Sequence, residues 1–321
     1  MSDRVIFAQE AGLELPEGRI ALFDPPISSS LPTGNIEVIT SHRPDFDIWQ
    51  ERGRAVRTEL CGHYTGVIVT LGRARARNEA RLAQAAKAAP DGMIVVNGAK
   101  TDGIDSLLKA LKSRVPLLGQ VSKAHGKCAW FSSGPELQDF AKPLMQQIAD
   151  GYWTAPGVFS ADGPDPGSAA LARALPKLHG KIADLGAGWG WLSSEILQQS
   201  NVSELCLIEA DHTALDCARR NITDTRAGFH WADALRWKPS QRLDVVVMNP
   251  PFHSGRKADA SLGQGFIKAA ARMLGPRGQV YLVANRHLPY EQTLAECFRT
   301  SQEIGGTSAF KLLHAMTPRH E

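Results

Sequence analysis

The feature that most constrains the fold is a regular alternation of short apolar runs and amphipathic stretches in the C-terminal half. Strands are predicted at 181–185, 205–209, 228–231, 243–248 and 279–284, and helices at 191–199, 213–221 and 260–274. The segment Gly275-Pro-Arg-Gly278 is expected to end the last helix, and the apolar run 310–316 to supply a final pair of strands at the edge. Strand, helix and strand in succession require parallel pairing with right-handed crossovers, so the pattern predicts a doubly wound α/β sheet.

The N-terminal half repeats this plan more weakly. A strand at 66–71 corresponds to 243–248, and a helix at 80–89, a turn at 90–92 and a strand at 93–96 follow it as 266–274, 275–278 and 279–283 follow the later strand. We predict an internal duplication, with two tandem doubly wound Rossmann-like domains at 1–150 and 151–321. The first lacks a glycine-rich turn, so it is interpreted as degenerate and not as a second active site.

Charge and composition narrow the classes of function. The 321 residues suit about two domains, and the net charge is only +3. Seven arginines nevertheless fall between Arg52 and Arg81, against two glutamates in the same run (positions 52, 54, 57, 73, 75, 77 and 81 carry the arginines). This run either contacts nucleic-acid phosphates or forms solvated helix faces, and the sequence leaves both open.

Cysteine usage and hydropathy indicate where the protein works. Five cysteines lack a Cys-x-x-Cys spacing and ten histidines form no ligand cluster, so neither a disulfide framework nor a metal site is expected. The first thirty residues include the acids Asp3, Glu10, Glu14 and Glu17, and every apolar run is far too short to span a bilayer. We expect a soluble cytoplasmic protein without a membrane partner.

A glycine-rich turn follows the first strand of the C-terminal half, in Asp184-Leu-Gly186-Ala-Gly188-Trp-Gly190. Glycines let the backbone turn sharply and approach a ligand closely. The spacing differs from the Gly-x-Gly-x-x-Gly of dinucleotide-binding folds, because Trp191 stands where the third glycine would be, and this disfavours a nicotinamide oxidoreductase. The leading acid suits a cationic ligand with an amino group better than a pyrophosphate.

Two further acids follow the next two strands. Glu209 ends the second strand, where a carboxylate can accept both hydroxyls of a ribose, and Asp211 is a competing candidate for that role. Asp233, after the third strand, can accept the amino group of an adenine. Because ligands of such sheets bind outside the carboxyl ends of the strands, these acids together with Asp184 predict an adenosine-bearing ligand. The alternative for each is a solvent-exposed acid at a strand end.

The most specific motif is Asn249-Pro250-Pro251-Phe252, directly after strand 243–248. The Asn249 side chain and the Pro250 carbonyl offer two acceptors that can hold an exocyclic NH₂ group, while the prolines stiffen the loop and Phe252 can stack on a planar group. Asp24-Pro-Pro-Ile27 is a superficial match that lacks the aromatic residue and a preceding glycine turn. Arg256 and Lys257 either touch substrate phosphates or are exposed loop charges.

Together these motifs identify the chain as similar to class I S-adenosylmethionine-dependent methyltransferases. It resembles most the ribosomal RNA guanine-N2 methyltransferases of the small-subunit type C and their large-subunit type G relatives. The stretches that carry the resemblance are Pro156–Ser160, Asp165–Ser168, Asn249–His253, Val283–Asn285, Leu288–Tyr290, Phe310–Lys311 and Met316–Thr317. The resemblance is strong over about 152–319 and faint before it, and it implies tandem methyltransferase-type domains of which only the second binds the cofactor.

The resemblance also implies roles for single residues. Asp184, Gly186 and Gly188 would border the methionine part of S-adenosylmethionine, Glu209 its ribose and Asp233 its adenine. Gly190 would belong to the same cofactor-binding set. The target amino group would lie at 249–252, with Phe159 and Ser168 bordering the cofactor or target pocket. The implied reaction is methylation of a guanosine N2 in ribosomal RNA, free or in a ribosomal subunit, with the N-terminal domain taking part in RNA recognition.

Two alternatives to this reaction stay open at the level of sequence. A planar amide of a protein glutamine would also fit Asn-Pro-Pro followed by an aromatic residue, although such an enzyme would not need a basic N-terminal half. A non-catalytic RNA-binding or assembly protein with a vestigial methylase fold is the other, and the intact glycine turn and tetrapeptide argue against it. The sequence does not specify which nucleotide is methylated. It does not specify the oligomeric state either, and it is compatible with a monomer.

Overall fold

The computed structural model describes residues 4–251 and 260–319 and the backbone of 253, 254, 257 and 258. The chain divides into two compact units, Met1–Gln146 with Ala155–Gly157 and Gln147–Thr154 with Val158–Glu321. We refer to them as the N-terminal and C-terminal domains. Two short strands, β8 (Gln146–Gln147) and β9 (Trp153–Thr154), pair with each other where the chain passes from one domain to the next.

The N-terminal domain is a seven-stranded mixed sheet. Its elements are α1 (Arg4–Glu10), β1 (Arg19–Phe23), β2 (Asn35–Ile39), α2 (Arg43–Glu51), β3 (Ala55–Arg57), β4 (Gly66–Thr70), α3 (Arg75–Ala88), β5 (Met93–Ala99), α4 (Ile104–Lys112), β6 (Gly119–Lys123) and β7 (Gly126–Ser132). The strand order is β3-β2-β1-β4-β5-β7-β6. The first five strands in this order run parallel, and β7 and β6 add two antiparallel pairings.

The C-terminal domain has the same architecture. Its elements are α5 (Pro166–Ala174), β10 (Gly180–Leu185), α6 (Trp191–Leu197), β11 (Val202–Glu209), α7 (His212–Asn221), β12 (Ala227–Trp231), β13 (Leu243–Met248), β14 (His253–Ser254), β15 (Lys257–Ala258), α8 (Ala260–Met273), β16 (Leu274–Asn285), α9 (Tyr290–Cys297), β17 (Phe298–Gly306) and β18 (Phe310–Pro318). The strand order is β12-β11-β10-β13-β16-β18-β17, and β14 and β15 form a separate antiparallel pair.

The two strand orders correspond one to one, with β1 in the place of β10, β4 in the place of β13 and β5 in the place of β16. The predicted fold class is therefore confirmed: two tandem α/β domains, each doubly wound around a mostly parallel sheet. The correspondence also places the counterpart of the Asn-Pro-Pro loop after β4, at Leu71–Gly72. Asp24-Pro-Pro instead follows β1, which is the counterpart of the glycine-turn strand.

The central strands of the C-terminal domain read as uninterrupted apolar runs because both of their faces are covered. In β13, Val246 and Met248 face one core cluster, which includes Ile267 of α8. Val245 and Val247 face the other cluster, with the helices α6 and α7 packed there. Alternate residues of one strand thus enter opposite layers, which holds β10 and β13 at the middle of the fold.

One local expectation needs correction, and another is confirmed. Gly275–Gly278 does not separate α8 from the next strand, because β16 begins at Leu274, directly after the helix. Leu243 pairs with Leu274 and Val245 with Gln279, so the four residues between them bulge out of the ladder. The apolar run 310–316 lies in β18, which pairs with the edge strand β17, so the expected pair of strands at the edge is present.

Some properties concern the whole described part of the chain. Within it, no helix combines the length and the apolarity needed to cross a bilayer. Nor do its histidines, cysteines and acids gather in groups of three that could hold a metal ion. All five cysteines carry free thiols.

Candidate active site

Parallel pairing brings the ends of three strands to one edge of the C-terminal sheet. Leu185 at the end of β10 pairs with Ile208 of β11 on one side and with Met248 of β13 on the other. Asp184, Glu209 and Asn249 therefore reach the same edge, although they are far apart in sequence. We call it the carboxyl edge.

A cavity opens at the carboxyl edge. It is lined by Phe159, Ser160, Asp165, Ser168, Asp184, Gly186, Ala187, Gly188, Trp189, Trp191, Leu192 and Asn249. Six of the residues predicted to form the site are thus brought together, from four separate stretches of the chain. Asp233, Gly190 and Glu209 are not among the lining residues, but Glu209 bonds to one of them.

The three glycines of the turn have different surroundings. Gly186, Gly188 and Gly190 all have positive φ angles, of 78°, 57° and 88°, a region that side chains strain to adopt. A Cβ at Gly188 would meet no atom within 4 Å, so the backbone there faces open space. A Cβ at Gly190 would come within 2.9 Å of Ile222, so this glycine allows the turn to pack closely on the end of α7.

Asp184 is an unusual acid because it is almost fully buried, at 1% exposure. Its carboxylate accepts a hydrogen bond from the Ser193 hydroxyl, at 2.7 Å. Burial raises the pKa of Asp184 to about 7, and the nearby Glu209 carboxylate adds to that rise. A cationic group bound in the cavity would favour the ionised form.

Glu209 is held by backbone amides rather than by side chains. Its two carboxylate oxygens accept from the amides of Gly188 and Asp211, each at 2.7 Å. Burial raises the pKa of Glu209, and the charge of Asp211 raises it further. In the described part of the chain, no arginine or lysine forms an ion pair with Glu209 or Asp184. Asp211 itself accepts from the Thr213 amide and caps α7, which leaves Glu209 as the acid turned to the glycine turn.

The structure describes some of the remaining predicted site residues fully and others only in part or not at all. Asp233 follows β12, and one of its oxygens accepts from the Leu235 amide at 2.8 Å. Pro250 is buried and Pro251 is exposed, directly after Asn249. Phe252 and Arg256 lie outside the described residues, and of Lys257 only the backbone, in β15, is described. The roles expected of these residues stay predictions.

The side-chain amide of Asn249 is anchored on its nitrogen side. Its Nδ2 donates to Asp165 Oδ2 at 2.9 Å and to Ser168 Oγ at 2.8 Å. Both hydrogens of the amide nitrogen are therefore used, and the amide oxygen is the end that can accept from a ligand.

Asp165 and Ser193 were not predicted as site residues. Asp165-Pro166 is an N-cap followed by proline at the first helical position, a signal that could have marked Asp165, whereas nothing in the spacing marks Ser193.

Phe159 is a large apolar side chain left 58% exposed beside the cavity. The loop that carries it is fixed by Trp189, whose indole Nε1 donates to the carbonyls of Phe159 and Ser160 at 3.1 and 3.2 Å. The Trp189 ring also packs on Tyr152, with centroids 5.3 Å apart. An exposed aromatic ring on an anchored loop is suited to stacking on a planar ligand.

A glycine turn after the first strand, an acid after the second and an Asn-Pro-Pro loop after the fourth are typical of class I methyltransferases. The family model of the methyltransferase small domain matches residues 151–314, and the chain therefore belongs to that family. This confirms the resemblance inferred from the motifs.

Curated relatives and a solved structure agree with this assignment. The chain is 32% identical to the ribosomal RNA small subunit methyltransferase C of Shewanella pealeana over 275 residues, which are 81% of this chain and 79% of that protein. It is 31% identical to the protein of the same name from Klebsiella pneumoniae over 70% of this chain and 68% of the relative. The T. thermophilus 16S rRNA N2 G1207 methyltransferase RsmC, solved with AdoMet and guanosine, aligns with a TM-score of 0.78 and 26% identity, covering 98% of this chain and 92% of that one.

The raised pKa of Asp184 predicts a pH-dependent affinity for a cationic ligand. Below pH 7 the carboxyl is mostly protonated in the free protein and must lose its proton to pair with a cation. We expect the affinity for S-adenosylmethionine, measured by calorimetry, to rise up to about pH 7 and to level off above it, with roughly tenfold weaker binding for each pH unit below the pKa. Affinity that is constant from pH 5.5 to 8 would contradict this.

Replacing Asp184 with asparagine should separate stability from binding. The pKa of Asp184 in the folded chain lies above the ordinary value, so its contribution to stability is present at pH below 4 and is lost as the pH rises to about 7. Asp184→Asn removes that cost, and we expect the free energy of unfolding to increase by up to about 4 kcal/mol at pH 8 and by much less at pH 5. Cofactor binding should be lost. Thermal unfolding at both pH values tests this, with Ser193→Ala as the control for loss of the hydrogen bond alone.

Proposed function

We propose that this protein transfers a methyl group from S-adenosylmethionine to the exocyclic N2 amine of a guanosine in ribosomal RNA. The observation that carries the proposal is the anchored amide of Asn249, which presents its oxygen beside a cavity lined by the buried Asp184 and by Gly188, whose amide holds Glu209. The relatives are named for methylating small-subunit rRNA, and the T. thermophilus protein, whose title specifies N2 of G1207, was solved with both AdoMet and guanosine.

The residues at the carboxyl edge fit the cofactor by charge and by shape. Two carboxylates whose pKa values are raised by burial favour a positively charged ligand, and S-adenosylmethionine carries both an ammonium and a sulfonium. When bound, the cofactor supplies the electrophilic methyl group. We propose that Asp184, Gly186 and Gly188 border its methionine part and that Glu209 accepts from its ribose. Asp233, with one oxygen engaged by Leu235, would use the other for the adenine amino group.

The acceptor side of the reaction needs positioning rather than a strong base. The Asn249 side-chain oxygen and the Pro250 carbonyl can accept the two N2 hydrogens and so aim the nitrogen lone pair. The proton can leave once the nitrogen has become cationic. We propose that Phe252 and the exposed Phe159 hold the plane of the base by stacking, that Ser168 borders the pocket, and that Arg256 and Lys257 contact RNA phosphates. The base must be unpaired or flipped out of its helix to reach such a pocket.

A role of the N-terminal domain in RNA recognition is part of the proposal. The arginine run supports it less than the sequence suggested, because Arg57, Arg75 and Arg81 form ion pairs with Glu37, Glu79 and Asp24. A better candidate is the turn between β6 and β7. A cavity there is lined by Lys100, Lys123, His125 and Lys127, with Asp105 as its one acidic lining residue. We call these residues the hairpin cluster and propose that it contacts RNA phosphates.

Lysine replacements in the hairpin cluster should weaken RNA binding without affecting the chemistry. We expect the pair Lys100→Gln and Lys123→Gln to raise the Kd for rRNA and to reduce the slope of log Kd against log salt by about 0.7–0.9 per lost phosphate contact. Lys87→Gln with Lys112→Gln, both exposed in the same domain and outside the cavity, form the matched control. An equal effect of the two double variants would count against a specific role of the hairpin cluster.

The ribosomal partner also implies a location. We propose that the protein works in the cytoplasm on rRNA, either free or in a ribosomal subunit. Methylation mapping of rRNA from cells with and without the gene would identify the nucleotide. Comparing methylation of free rRNA with methylation of assembled subunits, both taken from the same cells, would identify the assembly stage at which the protein acts.

The central test of the proposed function is methyl transfer by the Asn249→Ala variant. Wild-type protein and variant are incubated with labelled S-adenosylmethionine and, in separate reactions, with unmodified 16S rRNA, with 23S rRNA or with a release-factor-like protein. We expect label in the guanosine N2 of rRNA and a fall of about 100- to 1,000-fold in kcat for the variant, because one of two acceptors for the amine is gone. Cofactor affinity should persist. Label in the protein glutamine instead would establish the alternative acceptor, and undiminished turnover by the variant would refute the mechanism.

A further inference from the structure

The orientation of the Asn249 amide decides what the site can hold. A side-chain amide can rotate by half a turn about its last bond, exchanging a donor for an acceptor at nearly the same place. Only the orientation with the oxygen toward the cavity can accept a hydrogen bond from an amine. With the nitrogen there, two donors would face each other.

Asp165 selects between these two orientations. Its Oδ2 lies 2.9 Å from the amide nitrogen of Asn249, and an ionised carboxylate can only accept. The half-turn rotation would place the amide oxygen against a carboxylate oxygen and lose this hydrogen bond. We infer that Asp165 is a positioning residue for methyl transfer: it fixes the Asn249 amide with its oxygen turned to the target amine.

The carboxylate of Asp165 is itself held in place from the other side. It is the N-cap of α5, and the same Oδ2 accepts from the Ser168 amide at 2.8 Å. The first turn of α5 is seated closely on the sheet, since a Cβ on Gly167 would lie 3.3 Å from Val283 of β16 and 3.5 Å from Phe310 of β18. The helix start, the carboxylate and the amide thus form one rigid series of contacts.

Ser168 provides a second acceptor for the same nitrogen. Its Oγ lies 2.8 Å from Asn249 Nδ2, so the two amide hydrogens have separate acceptors. A serine hydroxyl can donate as well as accept, and it therefore tolerates either orientation of the amide. Asp165 cannot, and for this reason the selection rests on Asp165 and not on Ser168.

The test compares three variants of the full-length protein and rests on the proposed function for its activity readout. Asp165→Ala removes the acceptor, and we expect kcat to fall about 10- to 100-fold, while the cofactor Kd stays within about twofold. Asp165→Asn retains an oxygen that can accept from both Ser168 and Asn249, and it should keep kcat within about threefold of wild type. The control is Asp244→Ala, in which an aspartate at the opposite end of β13 loses its hydrogen bond from the Lys181 amide. Its kcat should not change.

A readout independent of turnover follows the amide directly. In protein labelled with ¹⁵N-asparagine, the side-chain NH₂ signals of Asn249, assigned with Asn249→Ala, should exchange slowly with solvent in wild type and in Asp165→Asn. In Asp165→Ala they should exchange faster. Wild-type protein that fails to methylate rRNA would refute the proposed function but leave this signature measurable. The positioning role would be overturned by any of three results. These are a wild-type kcat in Asp165→Ala, a loss of activity in Asp165→Asn as large as that in Asp165→Ala, and amide exchange in Asp165→Ala that is unchanged from wild type.

Discussion

The site depends on one constraint, the parallel pairing of β10 with its neighbours β11 and β13. Parallel strands end at the same edge, and the register that pairs Leu185 with both Ile208 and Met248 fixes which residues come next. The ends of these strands expose backbone groups and polar side chains at the point where the helices lead away. The pairing of the strands is therefore enough to bring the glycine turn, Glu209 and Asn249 together.

Under the proposed function, charge at this edge serves a ligand and not the stability of the free protein. Burial raises the pKa of both Asp184 and Glu209; the Glu209 charge adds to the rise for Asp184, and the Asp211 charge adds to the rise for Glu209. A protein selected only for stability would neutralise such a pair with an arginine or replace it with apolar residues. Instead, Glu209 is restrained by two backbone amides and Asp184 by one hydroxyl, which fix the positions of the carboxylates without supplying a counter-charge. Under the proposed function, the bound ligand supplies the positive charge.

The sequence predicted most of the fold and the residues that follow each strand, because apolar periodicity and glycine spacing are local signals. It missed features that depend on distant segments meeting. Asp165 and Asn249 are 84 residues apart and come together only through the packing of α5 on β16 and β18. The extent of β16 was also missed. Gly275–Gly278 has the composition of a turn, but it forms a bulge within β16, which pairs with β13 on both sides of it. The arginine run was ambiguous because ion pairs to Glu37 and Asp24 are invisible without the fold.

The two domains differ in how the charge at corresponding strand ends is compensated. In the N-terminal domain the strand β1, counterpart of β10, is followed by Asp24, which adopts a positive φ of 40°. Its carboxylate forms an ion pair with Arg81 of α3 at 2.5 Å, and the guanidinium also lies over the Phe23 ring. Here the counter-charge to the carboxylate is supplied by the chain itself. A strand end neutralised in this way lacks the uncompensated carboxylate charge that Asp184 and Glu209 place at the carboxyl edge.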